Sequence, residues 1–220
     1  MKVEMTYQKR WWKVTKERES NRKGDDDMIQ ELVTKARSYR RFDESKKISM
    51  EQLKEFANLG RLSPCGGNKQ YIKYALICEE AMNEKVFECL GWAGYLKDWD
   101  GAEKGERPTG YIVLLRDKTI NGNMTVDEGI AAQSIFLGAM EQGIGGCMIM
   151  NCNREKLANY LELDTTKYAI SMVIALGVPK EIVVIEEMQS NDDVTYYRDE
   201  NKVHHVPKRK LDDIIVKIIE

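Results

Sequence analysis

Apolar residues recur along the chain at the spacing of helix faces, and short apolar runs between them are typical of buried strands. Three aspartates at 25–27 precede a first helical stripe, where their charge suits the positive end of a helix. A second helix is predicted to begin at Ser49, because Ser49 and Gln52 form a capping-box pattern, and to end at Gly60. Further helices are predicted at 83–90, 125–142 and 154–161, and the spacing of the last isoleucines predicts another at 211–219.

The apolar runs predict four strands and a hairpin, at 74–78, 111–115, 147–150, 169–176 and 196–206. The intervening segment 91–108 has no clear period and is predicted to be a loop, which carries Trp92, Tyr95 and Trp99. Helices and strands alternate irregularly, and the sequence shows no internal repeat. This order predicts the α+β fold class.

Length and composition indicate one folded domain. The chain has 220 residues, of which 42% are hydrophobic and 32% charged, a balance typical of folded proteins rather than disordered ones. The domain is predicted to span 25–220. Residues 1–24 form an N-terminal extension of unknown role, in which Trp11 and Trp12 are the only large apolar pair. A docking arm and a poorly ordered tail both remain open for it.

Charge and cysteine usage narrow the expected partners and compartment. The 34 Lys and Arg residues against 36 Asp and Glu give a net charge of −2, which disfavours binding to nucleic acid. No apolar run approaches the ~18 residues of a membrane span, and no signal peptide is visible, so we expect a cytoplasmic protein without a membrane partner. Five cysteines at irregular spacing and only two histidines disfavour a disulfide framework or a metal site.

The segment Arg37-Ser38-Tyr39-Arg40-Arg41 is the first candidate for chemistry. Its three guanidinium groups and its hydroxyls are donors that suit phosphate oxygens. The segment follows a predicted helix, so a basic helix end that interacts with the helix dipole explains it equally well.

Two further segments have the composition of binding loops. Ser63 to Gln70 contains Gly66 and Gly67, which allow close backbone approach, and amide side chains that suit the edge of a planar heterocycle. Its alternative is an ordinary helix-to-strand loop. The basic cluster Pro207 to Lys210 is either a solvated charged face or a partner of Arg37 and Arg40, if folding brings it to them.

Other catalytic classes find little support. Gly143 to Gly146 follows a helix and precedes a strand, the reverse of a dinucleotide-binding fingerprint, so a Rossmann site is rejected and a helix end is predicted. His204 and His205 are the only imidazoles, and their polar neighbours predict a surface position. Because candidate catalytic side chains are scarce, we expect a cofactor to carry the chemistry, with no catalytic residue and no metal.

Taken together, these segments resemble the nitroreductase family of FMN-dependent oxidoreductases. That family has an Arg-Ser-x-Arg-x-(Phe/Tyr) stretch, matched by 37–42, and a Pro-Ser-Gly-x-Asn-x-Gln loop, matched by 64–70. It has a central helix that ends in Gly-Leu-Gly, as at 143–145, and a strand like 175–179. It closes on a basic pair before a Leu-acid-acid segment, as at 208–215. The resemblance covers residues 26–220.

The resemblance implies a mostly antiparallel sheet flanked by helices and an intertwined homodimer with FMN at the subunit interface. It also implies a C-terminal tail that extends across the partner, which we prefer to the helix that the spacing at 211–219 predicts. It also implies hydride transfer from NADH or NADPH through flavin N5 to a nitroaromatic, a quinone or a similar small acceptor, by a ping-pong mechanism. A specialised relative, such as a reductive dehalogenase or a flavin-fragmenting protein, and a non-enzymatic flavin-binding or redox-sensing module remain alternatives.

The family's motifs carry over to three groups of cofactor-binding residues. The phosphate group would contact Arg37, Ser38, Arg40, Lys208 and Arg209. The loop of the partner subunit would supply Pro64, Cys65, Gly66, Asn68 and Gln70. The N5 edge of the flavin would lie against Ile149, Met150 and Asn151. Cys65 stands where the family usually has Ser, and Tyr71 where Pro is common.

Overall fold

The computed structural model describes residues 28–121, 125–189 and 193–220, which fall into two units divided between Lys35 and Ala36. The predicted extension 1–24, with Trp11 and Trp12, and the aspartates at 25–27 lie outside the described residues. Helix α1 (Met28–Lys35) belongs to the first unit, and Glu31 pairs with Lys35 one turn along it.

A four-stranded antiparallel sheet forms the centre of the second unit. It consists of β1 (Ile72–Ile77), β2 (Gly110–Asp117), β3 (Gly145–Ile149) and β4 (Tyr168–Gly177), in the order β1-β2-β4-β3. The two central strands, β2 and β4, are buried along nearly their whole length, which explains their unbroken apolar runs. The prediction of a mostly antiparallel sheet is confirmed.

Helices cover both faces of this sheet. Helices α2 (Met50–Leu62) and α4 (Thr125–Glu141) pack on one face, and α3 (Glu80–Phe87) and α5 (Arg154–Tyr160) contribute to the core on the other. The predicted capping box is present, since the Ser49 hydroxyl accepts from the Gln52 amide and the Gln52 side chain accepts from the Ser49 amide. The α+β class is therefore confirmed.

Three of the predicted helices have wrong boundaries. Helix α2 continues through Gly60 to Leu62; Gly60 is buried, and a Cβ there would lie 2.6 Å from the Tyr74 hydroxyl. Helix α3 begins earlier than expected because the Glu79 carboxylate caps its first amides. The helix predicted at 211–219 is the single turn α6 (Leu211–Ile214), since every residue beyond it is exposed and no packed face stabilises it.

A second, three-stranded sheet follows the central one. Strand β7 (His204–Lys208) pairs parallel with β5 (Val183–Glu187) and antiparallel with β6 (Tyr197–Arg198). The β6–β7 hairpin was predicted. Strand β5 was not, because its side chains are half-buried or exposed and leave no alternating pattern. Within the described ranges, no helix has both the length and the apolar character needed to cross a bilayer.

Replacing Gly146 by alanine tests the close packing of β3. A Cβ at Gly146 would lie 2.6 Å from the Ala175 carbonyl oxygen and 2.8 Å from Leu176, and the backbone contact cannot relax cheaply. We expect Gly146→Ala to lower the free energy of unfolding by about 1–3 kcal/mol. Gly129→Ala, in the exposed part of α4 with open space at its Cβ, should raise it by about 0.5–1 kcal/mol. Equal effects of the two changes in urea unfolding would contradict this packing.

Candidate functional site

The arginine segment 37–41 runs beside the first residues of β3. Ser38 forms a parallel bridge with Gly146, and the Tyr39 amide donates to the Gly146 carbonyl at 2.8 Å. A Cβ at Gly145 would lie 2.5 Å from the Tyr39 ring. The glycines that the sequence offered as a helix end therefore also allow the arginine segment to approach the sheet edge. The left-handed Gly143, at φ +72°, ends α4 as predicted.

The far end of the arginine segment is fixed by carboxylates. The Arg40 and Arg41 amides both donate to Glu181, and the Arg41 guanidinium forms a two-pronged pair with Glu106. This pair, with help from Lys180, lowers the pKa of Glu106 to about 2. Arg41 is thus held in a structural ion pair, while Ser38 is exposed and Arg37 half-buried.

Arg40 has an environment that the sequence did not predict. Its side chain is buried, its Nη1 lies 3.2 Å from both the Ser38 carbonyl oxygen and His204 Nε2, and its guanidinium lies 4.9 Å from the Tyr196 ring centre. His204, predicted to lie on the surface, is 1% exposed. Burial, with the charges of Arg40 and Arg198, lowers the pKa of His204 to about 4, so this imidazole is neutral near pH 7.

His205 has the opposite environment on the same strand. Its Nδ1 contacts Glu186, its Nε2 lies 3.3 Å from Asp199, and its ring stacks on Tyr197. The Glu186 contact, with that of Asp199, raises the pKa of His205 above 6.5. In its protonated form this imidazole ties β5 to the β6–β7 hairpin through Glu186 and Asp199.

The C-terminal basic residues lie at the other end of β7 from this network. Lys208 ends the strand that His204 begins, so the two are separated by about 13 Å at the rise of ~3.3 Å per residue of a strand. Lys208 and Arg209 are both exposed. A shared phosphate site of these residues with Arg37 stays a prediction.

The segment 63–70, called here the glycine-asparagine loop, has a strained backbone and is held in place by the side chain of Asp127. Gly67, Asn68 and Gln70 have positive φ angles of 56°, 51° and 52°, a left-handed conformation that is uncommon for residues with a side chain. The buried Asp127 carboxylate accepts from the Gly66 amide at 2.9 Å and from the Cys65 thiol at 3.3 Å. Such strain clusters at functional sites. Sequence reasoning missed Asp127, whose only signal was an acid in the first turn of a helix.

This loop borders a groove of about 630 Å³ between α2, β1 and α4. Four of the predicted site residues line it: Pro64, Cys65, Asn68 and Gln70. The other lining side chains include the cations Lys54, Arg61 and Lys73 and the phenol of Tyr74. None of Arg37, Ser38 or Arg40 lines the groove among the residues that the structure describes, so one chain presents the two predicted groups at different places.

The third predicted group lies at the end of β3. Ile149 is buried in the core, Met150 is 63% exposed, and the Asn151 carbonyl accepts from the Gly91 amide at 2.9 Å. Asn151 follows Gly146 by five residues, which is about 16 Å along an extended strand. The segment 37–40 and the residues 149–151 therefore mark the two ends of one sheet edge.

The aromatic loop 91–108 divides its side chains between packing and surface. Trp92 is buried in the core with Phe87 at 5.3 Å, and Trp99 packs under the Arg198 guanidinium at 4.7 Å. Tyr95 is 55% exposed and contacts the Tyr196 ring edge at 4.9 Å. Of the three aromatics, Tyr95 alone keeps a largely accessible ring.

Comparisons with known proteins agree with this architecture. The sequence model of the nitroreductase family matches residues 33–178, whereas no curated protein matches the chain. A protein described as a nitroreductase, in complex with FMN, from Desulfovibrio desulfuricans is 18% identical with a TM-score of 0.60, over 89% of this chain and 98% of that one. At such identity the likeness shows the fold.

Two further solved structures have the same fold. The nitroreductase family protein from Streptococcus pneumoniae TIGR4 is 15% identical, with a TM-score of 0.59, over 86% of this chain and 100% of that one. A protein described as an NADH dehydrogenase/NAD(P)H nitroreductase from Bacteroides thetaiotaomicron is 19% identical, with a TM-score of 0.56, over 80% of this chain and 95% of that one.

Removing the Asp127 carboxylate should loosen the glycine-asparagine loop. Asp127→Ala leaves the Gly66 amide without its acceptor, so we expect the free energy of unfolding to fall by about 1–3 kcal/mol and proteolysis within 63–71 to accelerate. Glu141→Ala, at an exposed acid of the same helix, should change stability by less than about 0.5 kcal/mol. Similar stability and protease resistance of the two variants would show that Asp127 does not anchor the loop.

His205 should make stability depend on pH in a defined direction. Because its pKa is raised when the protein folds, its contribution is full below 6.5 and disappears as pH rises through the folded value. We expect the difference in unfolding free energy between wild type and His205→Gln to shrink as pH rises above 6.5. The lowered pKa of His204 gives the opposite dependence only at lower pH. A difference that grows with pH in urea titrations would contradict the assignment.

Proposed function

The chain belongs to the nitroreductase family, and on that premise we propose that it is an FMN-dependent oxidoreductase that transfers hydride from NADH or NADPH to a small acceptor. The acceptor class is a nitroaromatic, a quinone or a similar planar compound, reduced in a ping-pong cycle. The observation that carries the proposal is the position of Arg37, Ser38 and Arg40 against the glycine-rich start of β3.

The donor set of this segment fits a phosphate monoester. Ser38 is an exposed residue that lies between Arg37 and Arg40 in the sequence, and charge-assisted hydrogen bonds from guanidinium groups are the strong ones for phosphate. Arg41 is paired with Glu106, and it is the family's motif that assigns Arg37 and Arg40 to the ligand. Lys208 and Arg209 add two exposed cations at the end of β7.

The glycine-asparagine loop fits a planar heterocycle. The Asn68 and Gln70 side chains offer donors and acceptors, and the groove beside the loop holds about 630 Å³. Because the loop and the arginine segment do not line one cavity in a single chain, the complete site needs a second copy. We therefore assign the active unit to a homodimer in which Pro64, Cys65, Gly66, Asn68 and Gln70 of one chain complete the site of the other.

FMN, when bound, supplies the hydride chemistry. The protein's own residues bind and orient the cofactor and shield it from solvent. Arg37 and Arg40 hold positive charge near the site, which favours an anionic ligand and its more negative reduced form. Met150 and Asn151 lie at the far end of β3 beside the buried Ile149, and the exposed ring of Tyr95 offers a surface on which a planar acceptor can stack.

A visible absorption spectrum of the purified protein, followed by anaerobic addition of NADH and NADPH, tests the proposal directly. We expect a yellow protein that releases FMN on denaturation and loses its absorbance with at least one nicotinamide. Reoxidation by a quinone or a nitroaromatic should then restore the colour. A bound flavin that stays oxidised with both nicotinamides would instead identify a flavin-binding module. A colourless protein that cannot be reconstituted with FMN would overturn the proposal.

Substitution of Arg37 should weaken FMN binding. Arg37→Gln removes a cation, and a hydrogen bond to a charged group contributes about 1.5–3 kcal/mol, so we expect the dissociation constant to rise about 10- to 100-fold. Lys167→Gln is the matched control. Leu176 of β4 pairs with Gly146, which contacts the arginine segment. Lys167 precedes Leu176 by nine residues, so along the extended strand it lies about 30 Å from the arginine segment. Fluorescence titration of the apoprotein with FMN measures the dissociation constant of each variant. An Arg37→Gln dissociation constant equal to that of wild type would exclude Arg37 from the site.

A further inference from the structure

A buried network connects Arg40 to the β6–β7 hairpin, and the function proposed above leaves its purpose open. Arg40, Tyr196 and His204 contact one another in series, since the Arg40 guanidinium lies over the Tyr196 ring and the Tyr196 ring lies 5.1 Å from that of His204. His204 and Arg40 also contact directly, at 3.2 Å between Nε2 and Nη1. These residues are 164 positions apart, so the contact exists only because the hairpin folds back onto the arginine segment.

The chemistry of arginine fixes the state of this histidine. A guanidinium group carries donors only, so at the Arg40–His204 contact the imidazole Nε2 must be the acceptor. An accepting Nε2 requires a neutral ring with its proton on Nδ1. The strong burial of His204 between two arginines, Arg40 and Arg198, favours the same neutral form.

The contacts leave Arg40 with a defined direction. Its Nη1 is held by His204 and by the Ser38 carbonyl, and its flat face lies against Tyr196. A free arginine side chain has rotamer entropy to lose when it binds a ligand. A guanidinium that is already held in place loses less of this entropy.

We propose that His204 is a positioning residue, which acts through Arg40 by accepting its hydrogen bond and presenting the guanidinium to the FMN site. This inference rests on the proposed function. It predicts a role for the neutral acceptor at Nε2, and not merely for the bulk of a buried ring.

A double-mutant cycle between His204 and Arg40 separates positioning from packing. His204→Phe keeps an aromatic ring but lacks the acceptor, and we expect it to raise the FMN dissociation constant about tenfold. In the Arg40→Gln background the same change should have almost no further effect, because the group that it positions is gone. If His204 only filled space, the effects of the two substitutions on the FMN dissociation constant would multiply.

A second variant covers the case in which His204→Phe fails to fold. His204→Gln retains a side-chain acceptor, and we expect its FMN dissociation constant to stay within about threefold of wild type. The midpoint potential of the bound flavin should fall in His204→Phe, because a less ordered Arg40 stabilises the reduced form less well, and should return in His204→Gln. His205→Phe, on the next residue and outside this network, is the matched control and should leave both quantities unchanged.

The outcomes distinguish this inference from the proposal on which it rests. Failure of the wild-type protein to bind FMN would remove both. Wild-type binding with His204→Phe equal to wild type, or with multiplicative effects in the cycle, would overturn the positioning role and leave the proposed function intact. Loss of binding in His204→Gln as large as in His204→Phe would also overturn it.

Discussion

The carboxylate of Glu181 holds the arginine segment of the candidate site to the second sheet. Its side chain is fully buried, pairs with Arg198 at 3.1 Å and accepts the Arg40 and Arg41 amides. An unpaired charge in this position would cost several kcal/mol, so each of these partners is needed for the others to stay in place. Through this one group the arginine segment, the entry to β5 and the β6–β7 hairpin form a single structure.

Two neighbouring acids at the start of α4 provide the equivalent anchor for the other half of the site. Asp127 accepts from the Gly66 amide, while Glu128 pairs with Arg116 of β2 and with the Ser171 hydroxyl of β4. One acid thus fixes the loop, and the next fixes the helix to the sheet. Because β2 and β4 are the central strands, the strained conformation of the loop rests on the most rigid part of the fold.

Sequence reasoning found the elements whose causes are local. The Ser49–Gln52 cap, the apolar runs of β2 and β4 and the left-handed Gly143 depend on residues within a few positions of one another. Sequence reasoning failed where a residue distant in the chain determines the local structure. Gly60 lies inside a helix rather than at its end, and it is the distant Tyr74, whose hydroxyl would lie 2.6 Å from a Cβ there, that favours glycine at this position.

The same limit applies to the site. The motifs identified the arginine segment and the loop, but nothing local distinguishes Arg40 from Arg41, or the buried His204 from the half-buried His205. The pairs Arg40–His204 and Arg40–Glu181 span 164 and 141 residues. Strand β5 was missed for a related reason. It is a strand because it pairs with β7, and its partly exposed side chains give no alternating pattern that would predict it.

The guanidinium groups of the arginine segment are equivalent in the sequence but have different environments in the fold. Arg41 is neutralised by Glu106, and this pair joins the segment to the aromatic loop 91–108. Arg40 is held by a neutral acceptor, which fixes its direction but leaves its charge uncompensated at that contact. A carboxylate in the place of His204 would hold Arg40 equally well and would cancel the charge that an anionic ligand needs. A neutral imidazole is therefore the partner that permits both order and attraction, and its burial between two arginines is what keeps it neutral.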